Sequence, residues 1–338
     1  MFHQNLAEEK QFPGFAFEIC LLGEALVDFF QGAKPFGQHL AGKEDVDEAV
    51  KAARESDAVI LVMGNLSGLA PHCTTGEFRD TTDLRLPGVQ EKLVKAVQAA
   101  GKPVVLVLVS GRPVDLSAVV EQTSAILMAW VPGEEGGRAV ADALFGEVNP
   151  GGKLPVSFPR SAGQVPVFYN YKPSGMRSNI YGDYTNEPVT PLFWFGHGLS
   201  YTDFNYDKLV ITPSSTAAGG IIKISLTVKN IGALPGDEVV QLYIRDEYAS
   251  LPRPVKELKG FTRINLQGGE TKTVTFHLPV DMLAYYDQDL RLALEPGRFL
   301  VMVGSSSDDI RLQGEFELSG KQSVEVKERV FVCPVEVH

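Results

Sequence analysis

Apolar positions along the chain follow two different rhythms, and the change falls near its middle. Between residues 45 and 158, apolar runs alternate with amphipathic stretches. Asp45 is placed to cap DVDEAVKAARESD, where Val46, Ala49, Val50 and Ala53 recur at helical spacing. Residues 58–63 (AVILVM) are an unbroken apolar run closed by Gly64, the pattern of a strand covered on both faces. Pro87 opens a second helix, PGVQEKLVKAVQAAG, with Gly101 at its C-terminal end. Residues 103–109 (PVVLVLV) predict the next buried strand, closed by Ser110 and Gly111. A third run, residues 124–131 (SAILMAWV), leads through PGEEGG into the helix GRAVADALFG. Strand and helix at this rhythm predict an open α/β domain with a mostly parallel sheet.

Past residue 158 the periodicity lapses. Residues 159–203 are rich in Pro, Gly, Tyr and Asn and predict a long ordered linker. From Phe204 the period becomes two: Ile222, Ile224, Leu226 and Val228 alternate with polar neighbours, as do Val240, Leu242 and Ile244. Val274, Phe276 and Leu278 continue the pattern, followed by Phe299, Val301 and Val303, and by Leu312, Gly314, Phe316 and Leu318. Turn signals between these runs predict about seven strands and a β-sandwich. The expected organisation is an irregular segment over 1–44, an α/β domain over 45–158, the linker, an all-β domain over 204–320 and a tail over 321–338. Residues 323–337 of that tail have room for one more strand.

Composition narrows what these domains do. Glycine (33) and proline (21) are too frequent for a helical bundle. The net charge of −11 argues against nucleic acid, which needs clustered cations, and against an anionic membrane surface. Cys20, Cys73 and Cys333 are odd in number and far apart, so neither a disulfide framework nor a structural zinc is expected. Residues 15–30 (FAFEICLLGEALVDFF) are apolar, yet Glu18, Glu24 and Asp28 interrupt them and no basic n-region precedes them. The expectation is a soluble chain with no visible export signal, cytoplasmic by default.

In an open parallel sheet, ligands collect beyond the carboxy ends of the strands. Those ends are the loop from Gly64 to Asp80, the turn from Ser110 to Asp115 and the turn from Val131 to Arg138. GNLSG at residues 64–68 is neither a dinucleotide fingerprint nor a P-loop, and Glu134 and Glu135 stand where a phosphate would sit. No nucleotide or other cofactor is expected. The loop over residues 65–86 is unusually polar, carrying His72, Cys73, Glu77, Arg79, Asp80, Asp83 and Arg85. Glu77, in TTGEFRD, is a candidate acid for protonating a departing sugar oxygen. The residues by themselves favour the plainer reading, a solvated ion-pair cluster of Glu77, Arg79 and Asp80 that pins the loop. His197 between two glycines suits a turn anchor, Trp130 a packing role, and Trp194 and Tyr201 packing around the linker. Tyr169, Tyr171, Tyr181 and Tyr184 suit an aromatic interface.

Several motifs stand in a familiar order: HCTTGEFRDTTDLRLPGVQEKLV, PVVLVLVSGRP, AWVPGEEGGRAVADALFGEVNPGGKLPVSFP and PLFWFGHGLSYTDF. Together they resemble the C-terminal part of family 3 glycoside hydrolases. VKNIGALPGDEVVQLYIRD, RPVKELKGFTRI and LEPGRFLVMVG are similar to that family's fibronectin type III-like domain. The resemblance covers residues 45–318, and GMRSNIYGDYTNEPVTPLFWFGHGLSYT is most similar to β-glucosidase and β-xylosidase members.

The resemblance implies a retaining β-glycosidase acting on β-linked oligosaccharides or glycosides, with Glu77 as acid/base. It implies that Arg79 and Asp80 orient the loop and that His72 and Cys73 line the sugar pocket, although a merely packed cysteine fits as well. It also implies a nucleophile on an N-terminal (β/α)₈ barrel, a domain of roughly 200–250 residues. Only 44 residues precede Asp45, and no S-D-W-like segment occurs. The expectation is therefore a chain that needs a barrel on another chain or a missing N-terminal part, and that is nearly inactive alone. The alternative is a non-catalytic carbohydrate-binding or scaffolding module of the same fold.

Overall fold

The computed structural model of the chain describes residues 19–22, 43–173 and 184–338. They fall into two units, residues 1–144 with 159–165 and residues 145–158 with 166–338.

The first unit is built on a four-stranded parallel sheet, β1 (Ile19–Leu22), β2 (Ala58–Gly64), β3 (Val104–Val109) and β4 (Ala125–Trp130), hydrogen-bonded in that order. Helix α1 (Lys43–Glu55) precedes β2, α2 (Gln90–Gln98) precedes β3, and α3 (Gly136–Leu144) follows β4. The central strands β2 and β3 are almost wholly buried, as their unbroken apolar runs require. Ile60, Val62 and Val107 pack with Val140 of α3 to make one core cluster. Strand β1 corrects one expectation. It arises inside the stretch expected to be irregular and pairs with β2, Ile19 opposite Ala58. Four residues are too few to show a periodicity. The rest of residues 1–42, including most of the apolar run over 15–30, lies outside the described residues.

One helix boundary moves for a local reason. Helix α2 begins at Gln90 rather than Pro87, because Gly88 adopts φ +65° and that left-handed step cannot belong to a helix. Its far end is as expected: the Gly101 N–H donates to the Gln98 carbonyl at 3.0 Å and φ is +78°. No α-helix lies between β3 and β4, whose connection holds only a 3₁₀ turn, Val120–Gln122.

The second unit is a β-sandwich. One sheet runs β16 (Val335–Val337), β10 (Thr271–Pro279), β7 (Ile221–Asn230), β5 (Phe204–Thr212), all antiparallel. The other runs β6 (Ser215–Thr216), β14 (Ile310–Leu318), β13 (Gly297–Gly304), β8 (Gly236–Asp246), β9 (Glu257–Leu266). A small third sheet joins β11 (Tyr285–Tyr286), β12 (Leu292–Leu294) and β15 (Val324–Glu325). The alternating residues of the sequence face inward: Ile222, Ile224, Leu226, Val228, Val240, Leu242, Phe276, Val301 and Phe316 share one core. The tail supplies two short strands, β15 and β16, in place of one.

Strand β8 departs from simple alternation, since Gln241 and Tyr243 are buried along with the apolar positions between them. The linker covers its second face. Tyr169 stacks on Phe195 at 4.3 Å and meets Tyr243 edge-on at 5.8 Å, while its hydroxyl accepts the Leu258 N–H at 3.1 Å. The Tyr243 hydroxyl donates to Gln241 at 2.6 Å, and the Gln241 amide donates to the carbonyls of Gly196 and Ser305. Tyr169 is thus a packing residue of the sandwich. Tyr184 is exposed, and Tyr181 lies outside the described residues. His197 does anchor a turn: its carbonyl accepts the Leu154 N–H at 2.8 Å and its ring stacks on Phe193. Burial, with Lys153 nearby, pushes its imidazole below the ordinary histidine value.

One buried contact holds the α/β unit's central strand to its helix. The Gln90 side chain accepts the Gly64 N–H at 2.8 Å and donates to the Gly64 carbonyl at 2.9 Å, at 2% exposure. Gln90→Leu keeps the bulk but orphans both backbone groups, each worth about 1–3 kcal/mol when buried unpaired. The expected loss is about 2–4 kcal/mol in urea unfolding, and an unchanged midpoint would refute the role of this contact.

Candidate active site

Three loops leave the carboxy ends of β2, β3 and β4, and hydrogen bonds bring their roots together. The Asn65 N–H donates to the Val109 carbonyl at 2.9 Å, and the Asn65 side-chain amide donates to the Ser110 hydroxyl at 3.0 Å. The Ser110 N–H donates to the carbonyl of Trp130, a residue held at φ +55° where β3 and β4 slip register.

The loop after β2 folds back on itself. The Leu66 carbonyl accepts the N–H groups of Thr74 and Thr75 at 2.9 and 3.1 Å, and the Gly68 N–H donates to the Thr75 carbonyl at 3.0 Å. The Thr74 hydroxyl accepts the Leu66 N–H at 3.0 Å. Residues 69–73 form the first tip, where His72 is exposed and Cys73 is half-buried. Gly76 then turns the chain at φ +124°, a conformation its neighbours also demand: a Cβ there would lie 2.6 Å from the Gly68 carbonyl oxygen.

Glu77 stands at the second tip, exposed to solvent. Phe78 beside it has φ +59° and is 82% exposed, so both sparsely populated backbone and an unburied aromatic occur at this turn. The Arg79 N–H closes the turn on the Gly76 carbonyl at 3.2 Å. No ion pair joins Glu77, Arg79 and Asp80 among the described residues. Arg79 instead donates from its guanidinium to the Leu69 carbonyl at 2.6 Å, tying the second tip to the first. From the turn after β3, Arg112 donates through Nε to the Thr75 hydroxyl at 3.2 Å and through a terminal nitrogen to the Arg79 carbonyl. Asp83 and Arg85 form the loop's own ion pair, at 2.6 Å.

A cavity of about 540 Å³ opens beside this loop, lined among others by Asn65, Cys73, Arg79, Asp80, Lys92 and Arg112. The structure therefore brings Cys73, Arg79 and Asp80 to one concave surface, while His72 and Glu77 project outside its lining. Arg112 and Asn65, which hold the loop, carried no signal as site residues beyond their place in SGRP and directly after a strand. Among the described residues, no group of three or more His, Cys, Asp or Glu side chains is arranged to hold a metal ion. No helix there is long and apolar enough to cross a membrane.

An exposed carboxylate on a braced turn, at the carboxy edge of a parallel sheet, is what a solvent-facing proton donor or acceptor requires. The comparisons with known proteins identify the family. Residues 5–201 match the glycosyl hydrolase family 3 C-terminal domain, and residues 238–307 match a fibronectin type III-like domain. The chain belongs to glycosyl hydrolase family 3, corresponding to the C-terminal part of its members. A β-xylosidase of Formosa agariphila is 49% identical over 80% of the chain, and a periplasmic β-glucosidase of Salmonella typhimurium 42% over 81%. The crystal structure of a β-glucosidase from Listeria innocua with glucose is 39% identical over 82% of the chain, with a TM-score of 0.76. The chain spans 37%, 36% and 39% of those three proteins, respectively.

The Asp83–Arg85 pair gives a titration to measure. Hydrogen bonds from the Arg85 side chain and backbone hold the Asp83 carboxyl down at about 2, against an ordinary value of 3.8. A depressed acid stabilises the fold above its ordinary pKa, and the contribution fades as pH falls from there toward 2. Solvent screens so exposed a pair, which makes its share of global stability small. Carboxyl-carbon NMR should show Asp83 titrating near 2 and moving up toward the ordinary value in Arg85→Gln. A midpoint near 3.8 in the unmodified chain would refute the assignment.

Proposed function

We propose that this chain supplies the acid/base half of a retaining β-glycosidase active site, with Glu77 as the proton donor and acceptor. The observation that carries this reading is the turn itself: Glu77 is exposed between two residues, Thr75 and Arg79, that are both hydrogen-bonded to the turn after β3. Its place in TTGEFRD, ahead of the LPG motif, matches the family's acid/base glutamate.

In the first step of such a reaction a carboxylate nucleophile attacks the anomeric carbon while Glu77 gives its proton to the departing glycosidic oxygen. In the second, Glu77 takes a proton from water as that water displaces the enzyme carboxylate. The two carboxyl groups need to lie roughly 5–5.5 Å apart. The proposed nucleophile is an aspartate on a (β/α)₈ barrel outside residues 1–338, on the same or another polypeptide. Arg79 and Asp80 hold the loop and its concave face, and Cys73 borders that face. The substrate class is a β-linked glucose or xylose unit, since the relatives are named β-xylosidase and β-glucosidase and the Listeria structure contains glucose.

Residues 1–338 alone should show no turnover of aryl β-glucosides or β-xylosides above background, because one carboxylate cannot complete a double displacement. Joined to a family 3 barrel, such as that of the Salmonella relative, the chain should become active. Glu77→Gln in that assembly should lower kcat/KM for phenyl glycosides by about 10²–10⁴-fold. Azide, which needs no general base, should restore turnover where the glycosyl–enzyme accumulates. A Glu77→Gln assembly as active as the unmodified one sinks the proposal. Oligosaccharide binding by calorimetry that ignores Glu77, in an assembly without turnover, would favour a non-catalytic module.

A further inference from the structure

We propose that Arg112 is a positioning residue for this reaction: a clamp that grips the Glu77 turn at both ends and fixes where its carboxyl group points. The inference rests on the reading of Glu77 as acid/base and goes beyond it, because Arg112 lies 35 residues away on another loop and its hydrogen bonds go to Thr75, Arg79 and Ser110 rather than to the acid.

The geometry is specific. One planar guanidinium donates through Nε to the Thr75 hydroxyl, two residues before Glu77, and through a terminal nitrogen to the Arg79 carbonyl, two residues after it. Thr75 is 3% exposed, so its end of the contact is anchored in the unit's interior. The clamp is itself clamped. The Arg112 N–H donates to the Ser110 hydroxyl at 3.2 Å, and that hydroxyl donates to the Arg112 carbonyl at 2.8 Å. Ser110 follows directly on β3, so the fork is referenced to the sheet.

The turn needs such a reference. Between Thr75 and Arg79 one backbone hydrogen bond closes it, and Gly76 and Phe78 both have positive φ. A carboxyl that must reach a departing oxygen tolerates little drift, and a misplacement of about 1 Å costs about 10²-fold in rate. A lysine carries a single point charge and cannot span both acceptors in the fixed geometry of a guanidinium fork.

The effect should be separable from ordinary stabilisation. Glycosides with excellent leaving groups need almost no proton, whereas poor ones depend on it, and kcat/KM reports only the glycosylation step. In the barrel-joined assembly, Arg112→Ala should lower kcat/KM for phenyl β-glucoside by about 10²-fold while leaving 2,4-dinitrophenyl β-glucoside nearly unchanged. Arg112→Lys should fall between. Thr75→Val, nearly isosteric, removes one of the two bonds and should give a smaller loss with the same leaving-group dependence; it decides the matter if Arg112→Ala does not fold. In the chain alone, Arg112→Ala or Thr75→Val should speed exchange of the Arg79 amide, the hydrogen-bonded N–H of the turn, by about tenfold, with residues 59–63 unaffected.

Equal losses on both substrates, or unchanged exchange at the Arg79 amide, would overturn the clamp. So would full activity in the Arg112 and Thr75 variants while Glu77→Gln is impaired. If Glu77→Gln itself has no effect, the acid/base reading fails instead, and the exchange measurement alone then judges the clamp.

Discussion

The α/β unit turns on how closely β2 and β3 approach at their carboxy ends. Gly64 closes β2 at φ +149°, and a Cβ on it would lie 1.8 Å from the Val109 carbonyl oxygen. Only glycine permits this contact. It brings both strands to one level, lets the Asn65 N–H take the Val109 carbonyl, and sets Asn65 against Ser110. Gln90 then saturates both backbone groups of Gly64 from α2, so the junction is satisfied on every side. The loop bearing Glu77 therefore starts from a rigid point.

From that point outward, order is passed along by hydrogen bonds more than by packing. The loop's exposed tips have no apolar core of their own; Leu69 and Phe78 are mostly exposed. What shapes it is a chain of polar contacts, from Asn65 and Ser110 through Arg112 to Thr75 and Arg79, and from Arg79 on to Leu69. Such a design suits a group that must be presented to something else. Burying the turn would hold it as firmly but would desolvate the carboxylate and close off its access.

Much of this was legible in the sequence, and the parts that were not share a physical cause. The apolar runs at 58–63 and 103–109 gave β2 and β3 because a doubly covered strand leaves no freedom in residue type. Period-two alternation gave the inward face of β7 for the converse reason, one face being wet. β1 was hidden by its length, and the start of α2 by Gly88, whose backbone sign no pattern of polarity encodes. In the candidate site, residue type picked out Glu77, Arg79 and Asp80. The expected ion-pair cluster among them did not follow, because Arg79 finds a backbone carbonyl nearer than a carboxylate. Arg112 was missed because its partners are a hydroxyl and a carbonyl, and any residue offers a carbonyl.

The second unit shows the same logic with the balance reversed. Binary alternation assigned Gln241 and Tyr243 of β8 to solvent, yet both are buried beneath Tyr169, Phe195 and Gly196. Their polar atoms are paired internally, the tyrosine hydroxyl to the glutamine and the glutamine amide to two carbonyls. A buried glutamine of this kind specifies its cover, since any other segment over β8 would leave its amide unpaired at a cost of about 1–3 kcal/mol. Part of the linker is thus as much a layer of the sandwich as the strands are. Hydrophobic burial fixes where the sheets meet; the polar residues that break the pattern determine which segment lies on top. That is also how Arg112 selects the conformation of the Glu77 turn, and in both units polar exceptions to the apolar pattern give the irregular segments their shape.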